Sequence, residues 1–422
     1  MVFREYRSAV HEFSANARLY LAATVLLGVT SGLQYLFFNL YVLSLGYDQA
    51  FVGLLASLPA LVTAIAAIPI GMVLPRLGYR RGLLLGCALT AIALLGSALL
   101  PNEGILIAAS ILSGVGSALV SVGSSPLMVA ISTEKTRTHL FGVQFAFSTF
   151  AGVLANVVGG YLPLAMRTIA PSFLAGLSAY RGVLLVSMAL TLTALYPIAR
   201  LRGLHGVRKE TLKARDVRAH RSVLAKILAI EITGSFGAGM LMPFVNVFYR
   251  LRYSLPDPAL GAIFAASSLF TGIAAILAPL AAARMGKIRA IVLTQAMSIP
   301  FLLAMGFIPN AGASATSFLI RTALMNMSSP LLPAYIMGIV PSGLRPLTAS
   351  LVMLAWNAGW AMASWISGHI QVAAGFSPLF LITASFYVAS IVLTYVFFRR
   401  TGETADVPIL PEPLPSDEPR HA

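Results

Sequence analysis

The chain has 422 residues, of which 58% are hydrophobic and only 10% charged, a balance that leaves too little polar surface to clothe a water-soluble globule of this size. Its net charge of +15 comes from basic residues set in short stretches between apolar runs rather than on one broad face, which excludes a nucleic-acid groove and points to a lipid environment. The single cysteine, Cys87, excludes an internal disulfide framework and a cysteine metal site.

A helix needs about 20 mostly apolar residues to cross a hydrocarbon core of about 30 Å. Twelve stretches meet that requirement: 18–43, 49–74, 82–100, 104–131, 139–165, 181–200, 223–249, 258–283, 288–308, 314–340, 346–372 and 376–398. The first is too long for a signal-peptide core and lacks a cleavage site, so it is expected to stay as a helix. The fold class expected is therefore all-α and membrane-embedded, with a bundle of six helices over 1–200, a basic cytoplasmic linker over 201–221, a second bundle over 222–399 and a disordered tail over 400–422. With the N-terminus inside, the inner segments carry 24 Lys and Arg and the outer loops only 4, so both termini and the linker are expected in the cytoplasm.

The two halves repeat one another. A basic knot, Gly71 to Gly82, separates segments 2 and 3, and Arg284-Met285-Gly286-Lys287-Ile288-Arg289 separates segments 8 and 9, with Arg76 matching Arg284 and Gly78 matching Gly286 at an offset of 208. The same offset pairs Arg137 with Arg345 and Gly160 with Gly368. At 207, Gly32 pairs with Gly239 and Asn39 with Asn246, which makes helix 7 the counterpart of helix 1.

The knot resembles the loop between helices 2 and 3 of the major facilitator superfamily, which usually reads G-x-x-x-D-R-x-G-R-R. Gly71, Arg76, Gly78 and Arg80 match; Pro75 stands in the place of the aspartate and Tyr79 in that of the first paired arginine, with Arg81 one position later. In helix 5, Ala155-Asn156-Val157-Val158-Gly159-Gly160 resembles the drug-antiporter signature G-P-x-x-G-G of that superfamily, keeping Gly159 and Gly160 but not the proline. The resemblance, over residues 15 to 400, implies two pseudo-symmetric six-helix bundles that rock around a midplane site lined by helices 1, 4, 7 and 10. It also implies a cytoplasmic latch, for which Arg76, Arg80, Arg81, Glu134, Arg137, Arg284, Arg289 and Arg345 are the candidates, with Glu134 the nearest acid to stand in for the missing aspartate.

Ionisable groups inside a span are costly and mark candidate sites. Glu231 in helix 7 and Arg321 in helix 10 are the two clear cases. Glu231 is either a cavity or coupling group or a shallow solvated carboxylate near Lys226; Arg321 is either a binding group or half of a structural pair, and a bridge between the two is open. Asn39 and Asn246 read as cavity lining, with Gln34 and Tyr35 adding hydrogen-bonding capacity from helix 1, while Gly28, Gly32 and Gly239 read as packing. Trp356 and Trp360 share a face of helix 11 and form either an aromatic wall for an apolar substrate or a lipid-facing surface. Ser-Ser-Pro-Leu recurs at 124–127 and 328–331, marking a possible bend in helices 4 and 10.

No phosphate-binding loop or hydrolytic cluster is present, so the expectation is a secondary transporter rather than an enzyme, working without a cofactor or metal on a small molecule, coupled to protons if transport is active. Export of an apolar or amphipathic compound leads, ahead of import of a polar nutrient (sugar, organic anion or peptide); a membrane-embedded enzyme or lipid-handling protein is the rival of another class. The expected setting is the cell inner (plasma) membrane and the expected state a monomer. An impermeant thiol reagent applied to sealed cells should leave Gly203→Cys unmodified; its labelling would reverse the orientation.

Overall fold

The computed structural model describes residues 13–169, 179–202, 218 and 220–399, and no strand occurs among them. A bilayer core offers no water to backbone N–H and C=O groups, so each apolar run satisfies its own by coiling. The first bundle holds α1 (Ala15–Ser44), α2 (Gln49–Leu77), α3 (Tyr79–Leu99), α4 (Glu103–Ile131), α5 (Glu134–Ile169) and α6 (Ala179–Ala199). The second holds α7a (Arg221–Leu241), α7b (Val245–Tyr253), α8 (Asp257–Met285), α9 (Lys287–Phe307), α10a (Ala311–Asn326), α10b (Ser328–Ile339), α11 (Arg345–Ala374) and α12 (Ser377–Phe398). All twelve expected segments are helical, with ends shifted by a few residues. Most of the basic linker and the whole acidic tail, residues 203–217 and 400–422, lie outside the described residues.

Two segments read as continuous are broken. Helix 7 is interrupted by a 3-10 turn, Met242–Phe244, because Pro243 has no N–H to close the turn behind it. Helix 10 divides at Met327, where the missing N–H of Pro330 leaves the Asn326 carbonyl without its helical donor. The matching Pro126 leaves α4 unbroken, so the two Ser-Ser-Pro-Leu sequences do not act alike. Among the described residues ten segments are long and apolar enough to span a membrane, with helix 7 counted whole over Arg221–Tyr253; the others are the divided α10 and α11, which carries Asn357, His369 and Gln371 along its 30 residues.

Short connections are closed by local chemistry. Asp48, Asn102 and Asn310 each accept a hydrogen bond from the backbone N–H three residues on, at the starts of α2, α4 and α10a. In the two knots Gly78 and Gly286 take φ of 89° and 82°, and their N–H groups donate to the Leu74 and Ala282 carbonyls. A side chain at either would be strained, which explains why glycine survives in both halves of the repeat.

The bundles are joined at the end away from the knots and separate at the knot end. One apolar cluster at the far end draws on both, with Leu36 and Phe37 of α1 packed with Phe244 and Phe248 of helix 7. Near the knots each bundle keeps its own clusters, around Leu74, Leu83 and Leu127 in the first and around Ile227, Ile288 and Tyr335 in the second. Two glycine crossings hold the far end. A Cβ on Gly53 of α2 would lie 2.7 Å from the Ser364 carbonyl and 2.9 Å from Gly368 Cα on α11. A Cβ on Gly261 of α8 would lie 2.4 Å from the Asn156 carbonyl and 2.7 Å from Gly160 Cα on α5. The offset of 208 carries Gly53 onto Gly261 and Gly160 onto Gly368, so one crossing is the repeat of the other.

Gly261→Val cannot fit between these backbones and should pry the far end open, since overpacking costs about 1–3 kcal/mol. With Cys87 replaced by Ser and spin labels at Glu103 and Phe307, exposed positions on different bundles, dipolar spectroscopy should show a longer distance population in the variant. An unchanged distribution would mean that the crossing does not hold this end closed.

Candidate functional site

A cavity of about 840 Å³ lies between the bundles, lined from α1 by Tyr35, from α5 by Ser148 and Asn156, and otherwise by helices 7 to 12. Both intramembrane charges line it. Arg321 on α10a is only 3% exposed. Its Nη2 donates to the Tyr387 hydroxyl at 2.6 Å, its Nη1 lies 2.9 Å from Met242 Sδ, and its Nε has no partner. The guanidinium carbon also sits 5.4 Å from the centre of the Tyr387 ring. No carboxylate reaches ion-pair distance of Arg321 among the described residues. A phenol, a thioether and a ring face hold this cation in place without neutralising it, which leaves the site short of one negative charge.

Glu231 on α7a is 8% exposed, lines the same cavity and makes no hydrogen bond or ion pair among the described residues. No bridge joins it to Arg321; the two charges occupy separate positions on the wall. Its side chain is buried, and Lys226 forms no ion pair with it among the described residues. Lys226 instead lies over the Phe397 ring, 5.6 Å from its centre.

The rest of the wall is divided. Trp356 and Trp360 stack with centroids 6.4 Å apart and line the cavity with Phe264 and Phe318. The wall also carries amides and hydroxyls: Gln295 Nε2 donates to Ser328 Oγ at 2.9 Å, and Asn326 and Asn357 line the cavity. Chemically, the cavity offers one unneutralised cation, one carboxylate, an aromatic surface and several amides and hydroxyls.

The helix 7 break is clasped by side chains. Ser364 Oγ donates at 3.3 Å to the Gly239 carbonyl, the group that a residue other than proline at 243 would have served. Ser367 Oγ bonds the Met240 carbonyl at 2.5 Å and Tyr35 the Met242 carbonyl at 2.9 Å. Asn39 Nδ2 donates to the Pro243 carbonyl at 2.6 Å, and Asn246 Nδ2 returns the bond to the Leu36 carbonyl at 2.8 Å. The offset of 207 exchanges Asn39 with Asn246 and Leu36 with Pro243, so these bonds are reciprocal across the pseudo-symmetry. The asparagines therefore join the bundles. Asn246, 1% exposed, is absent from the central cavity wall, and Asn39 and Gln34 border a second chamber lined mainly by the first bundle. A polar cluster adds to this end: Tyr180 donates to Asp257 at 2.9 Å, and Arg250 donates to both Tyr180 and Asp257.

The candidates for a latch at the knot end lie apart from one another in the ion-pair sense. Arg76, Arg80, Arg81, Arg284, Arg289 and Arg345 are exposed and form no ion pair among the described residues, while the partly buried Arg137 has an unpartnered Nε. The side chain of Glu134 lies outside the described residues. Gly71 is open, its nearest obstacle Val122 at 4.0 Å. In helix 5, Gly159 packs against Leu33 of α1 and Gly160 forms the crossing with α8.

Sequence reading passed over Tyr387 and Gln295; helical periodicity sets Met242 on one face of helix 7 with Glu231 but does not reveal its contact with Arg321. Tyr387 acquires a role only through Arg321, 66 residues away in sequence, and no local periodicity marks it.

Comparison with known proteins places this arrangement. No curated protein matches the chain in sequence. Among solved structures it is similar to the nucleoside transporter NupG (D323A mutant), with a TM-score of 0.73 at 13% identity over 92% of this chain and 99% of that one. It is similar to a D-xylose-proton symporter, with a TM-score of 0.73 at 16% identity over 91% and 97% of the two chains. The human organic anion transporter MFSD10 gives 0.63 at 15% identity over 90% and 99%. The family model of the Major Facilitator Superfamily matches residues 20–320, and with the fold, the doubled sequence and the cavity between the bundles, the chain belongs to that superfamily of membrane transporters.

Proposed function

We propose that this protein carries an amphipathic organic anion across the membrane, with Arg321 as the anion site, the Trp356 and Trp360 stack as the surface for its apolar part and Glu231 as the proton site. The observation that carries the reading is the buried, unneutralised guanidinium with a free Nε on the cavity wall. A carboxylate or similar group entering the cavity would supply the missing charge and accept from the planar donor fork. Export is the direction assigned, because the aromatic wall suits a compound that reaches the cavity by partitioning from lipid. The buried cation also suits the second reading, import of a polar organic anion.

Transport follows from two states of the bundle pair. In the state described here the cavity is closed at the far end by the glycine crossings and the asparagine clasp, and the knot end is apart. In the other state the far end parts and the basic knot residues latch the knot end, with Glu134 as their acid. The knots, linker and both termini face the cytoplasm and the protein acts as a monomer in the plasma membrane. Glu231, which has no partner among the described residues in this state, takes up or releases a proton as the cavity changes sides, so proton and substrate fluxes are linked through one site.

Arg321→Ala should leave the protein folded in the membrane and abolish uptake of an organic anion into liposomes; Arg321→Lys should bind it roughly ten- to a hundredfold more weakly, since the fork is lost but the charge kept. Unaltered transport in Arg321→Ala would remove the anion site. Everted vesicles compared with right-side-out vesicles then decide between export and import.

Glu231→Gln mimics the protonated acid. In liposomes with an imposed pH gradient it should lose accumulation against the substrate gradient while exchange between equal pools survives. A variant that still concentrates substrate would exclude Glu231 from coupling.

A further inference from the structure

Beside the central cavity lies a second chamber of about 510 Å³, lined mainly by α1, α2, α3 and α4 of the first bundle and bordered by Pro243 and Trp360 of the second. None of its lining side chains carries a charge. A run of serines on α4, Ser110, Ser113, Ser117 and Ser121, falls on one face at helical spacing and lines it. Ser117 and Ser121 are exposed although they lie in the middle of a spanning helix, because they border this space.

Two hydroxyls suit this space to a hydrogen-bonding ligand. Ser97 and Ser110 are 3% and 4% exposed, line the chamber and have no side-chain hydrogen-bond partner among the described residues. Other hydroxyls here are already spent on their own helices: Thr90 donates to the Gly86 carbonyl at 3.0 Å and Ser121 to the Ser117 carbonyl. Neither hydroxyl is sealed inside the protein: both open on the chamber, where water or a ligand group can meet them. Hydroxyl and amide groups both donate and accept, so Ser97, Ser110 and Gln34 complement a group that does the same. An ion would lose its hydration here and meet no countercharge.

We propose that this chamber is a subsite for an uncharged, polyhydroxylated group such as a glycosyl or polyol moiety. Tyr35 and Trp360 line both spaces, so one molecule can place its hydroxylated part in the chamber and the rest of its body in the central cavity. The transported compound is then an amphipathic anion with a neutral glycosyl or polyol portion, an assignment that rests on the anion reading of Arg321.

The test is equilibrium binding to the full chain in nanodiscs with two probes: 4-nitrophenyl glucoside, which has hydroxyls and no charge, and 4-nitrobenzoate, which has charge and no hydroxyls. The wild type should bind both. Ser97→Ala with Ser110→Ala should weaken the glucoside at least tenfold and leave 4-nitrobenzoate unchanged; Ser117→Leu, which fills the chamber from an exposed position, should do the same. Should the double variant fail to fold, seen as loss of 4-nitrobenzoate binding, Ser117→Leu decides alone. No glucoside binding by the wild type, or glucoside affinity unchanged in the folded variants, would overturn the subsite. Arg321→Ala should abolish 4-nitrobenzoate binding and spare the glucoside, so failure of the anion site and failure of the chamber give different patterns.

Discussion

The carbonyls released where helix 7 breaks are the constraint on which the closed end depends. Inside a bilayer an unserved backbone carbonyl costs several kcal/mol, since no water reaches it. Pro243 creates that problem by removing an N–H, and the neighbouring helices solve it: Ser364 and Ser367 from α11, Tyr35 and Asn39 from α1. Two of these donors belong to the opposite bundle, so the repair of a helix break is also a bond between bundles. Because Asn39 and Asn246 bond reciprocally, parting the bundles frees a carbonyl and an amide on each side at once. Such a clasp favours either full engagement or full release, with water entering to serve the freed groups.

Pseudo-symmetry explains why the contacts at this end come in pairs. An ancestral unit repeated at an offset of 207 to 208 residues presents the same surface twice, and two copies facing each other make every unlike contact in duplicate. The glycine crossings of α2 with α11 and of α5 with α8 are one contact seen twice, as are the two asparagine bonds. Backbones approach this closely only where no Cβ intervenes. The symmetry is not carried into the chemistry: both intramembrane charges belong to the second bundle, whereas the first keeps an uncharged chamber of serine and threonine.

That division separates two kinds of recognition. A guanidinium held by Tyr387 and Met242 would attract an anion through charge, and low-dielectric surroundings would strengthen that attraction. Serine hydroxyls bind weakly one by one and discriminate through geometry. Tyr35 borders both spaces and also bonds the Met242 carbonyl, so one side chain belongs to the cavity wall and to the contact between bundles.

Much of the fold was legible in the sequence because its causes are local. Twenty apolar residues in a row specify a span, Gly78 and Gly286 mark turns that only glycine makes easily, and equal spacing between like residues reveals the repeat. The two costly charges were legible for the same reason, since an Arg or Glu within an apolar run stands out without any knowledge of its neighbours. Partnership was not. Helix period places Asn39 and Asn246 on polar stripes but does not say whether the stripe meets solvent or a carbonyl of the other bundle, and tertiary structure made them a clasp. Tyr387 is one tyrosine in an apolar helix until Arg321 is seen against it. The break in helix 10 and the continuity of α4 at the same Ser-Ser-Pro-Leu sequence were likewise decided by packing, because a lost N–H can be absorbed or can divide a helix according to what surrounds it.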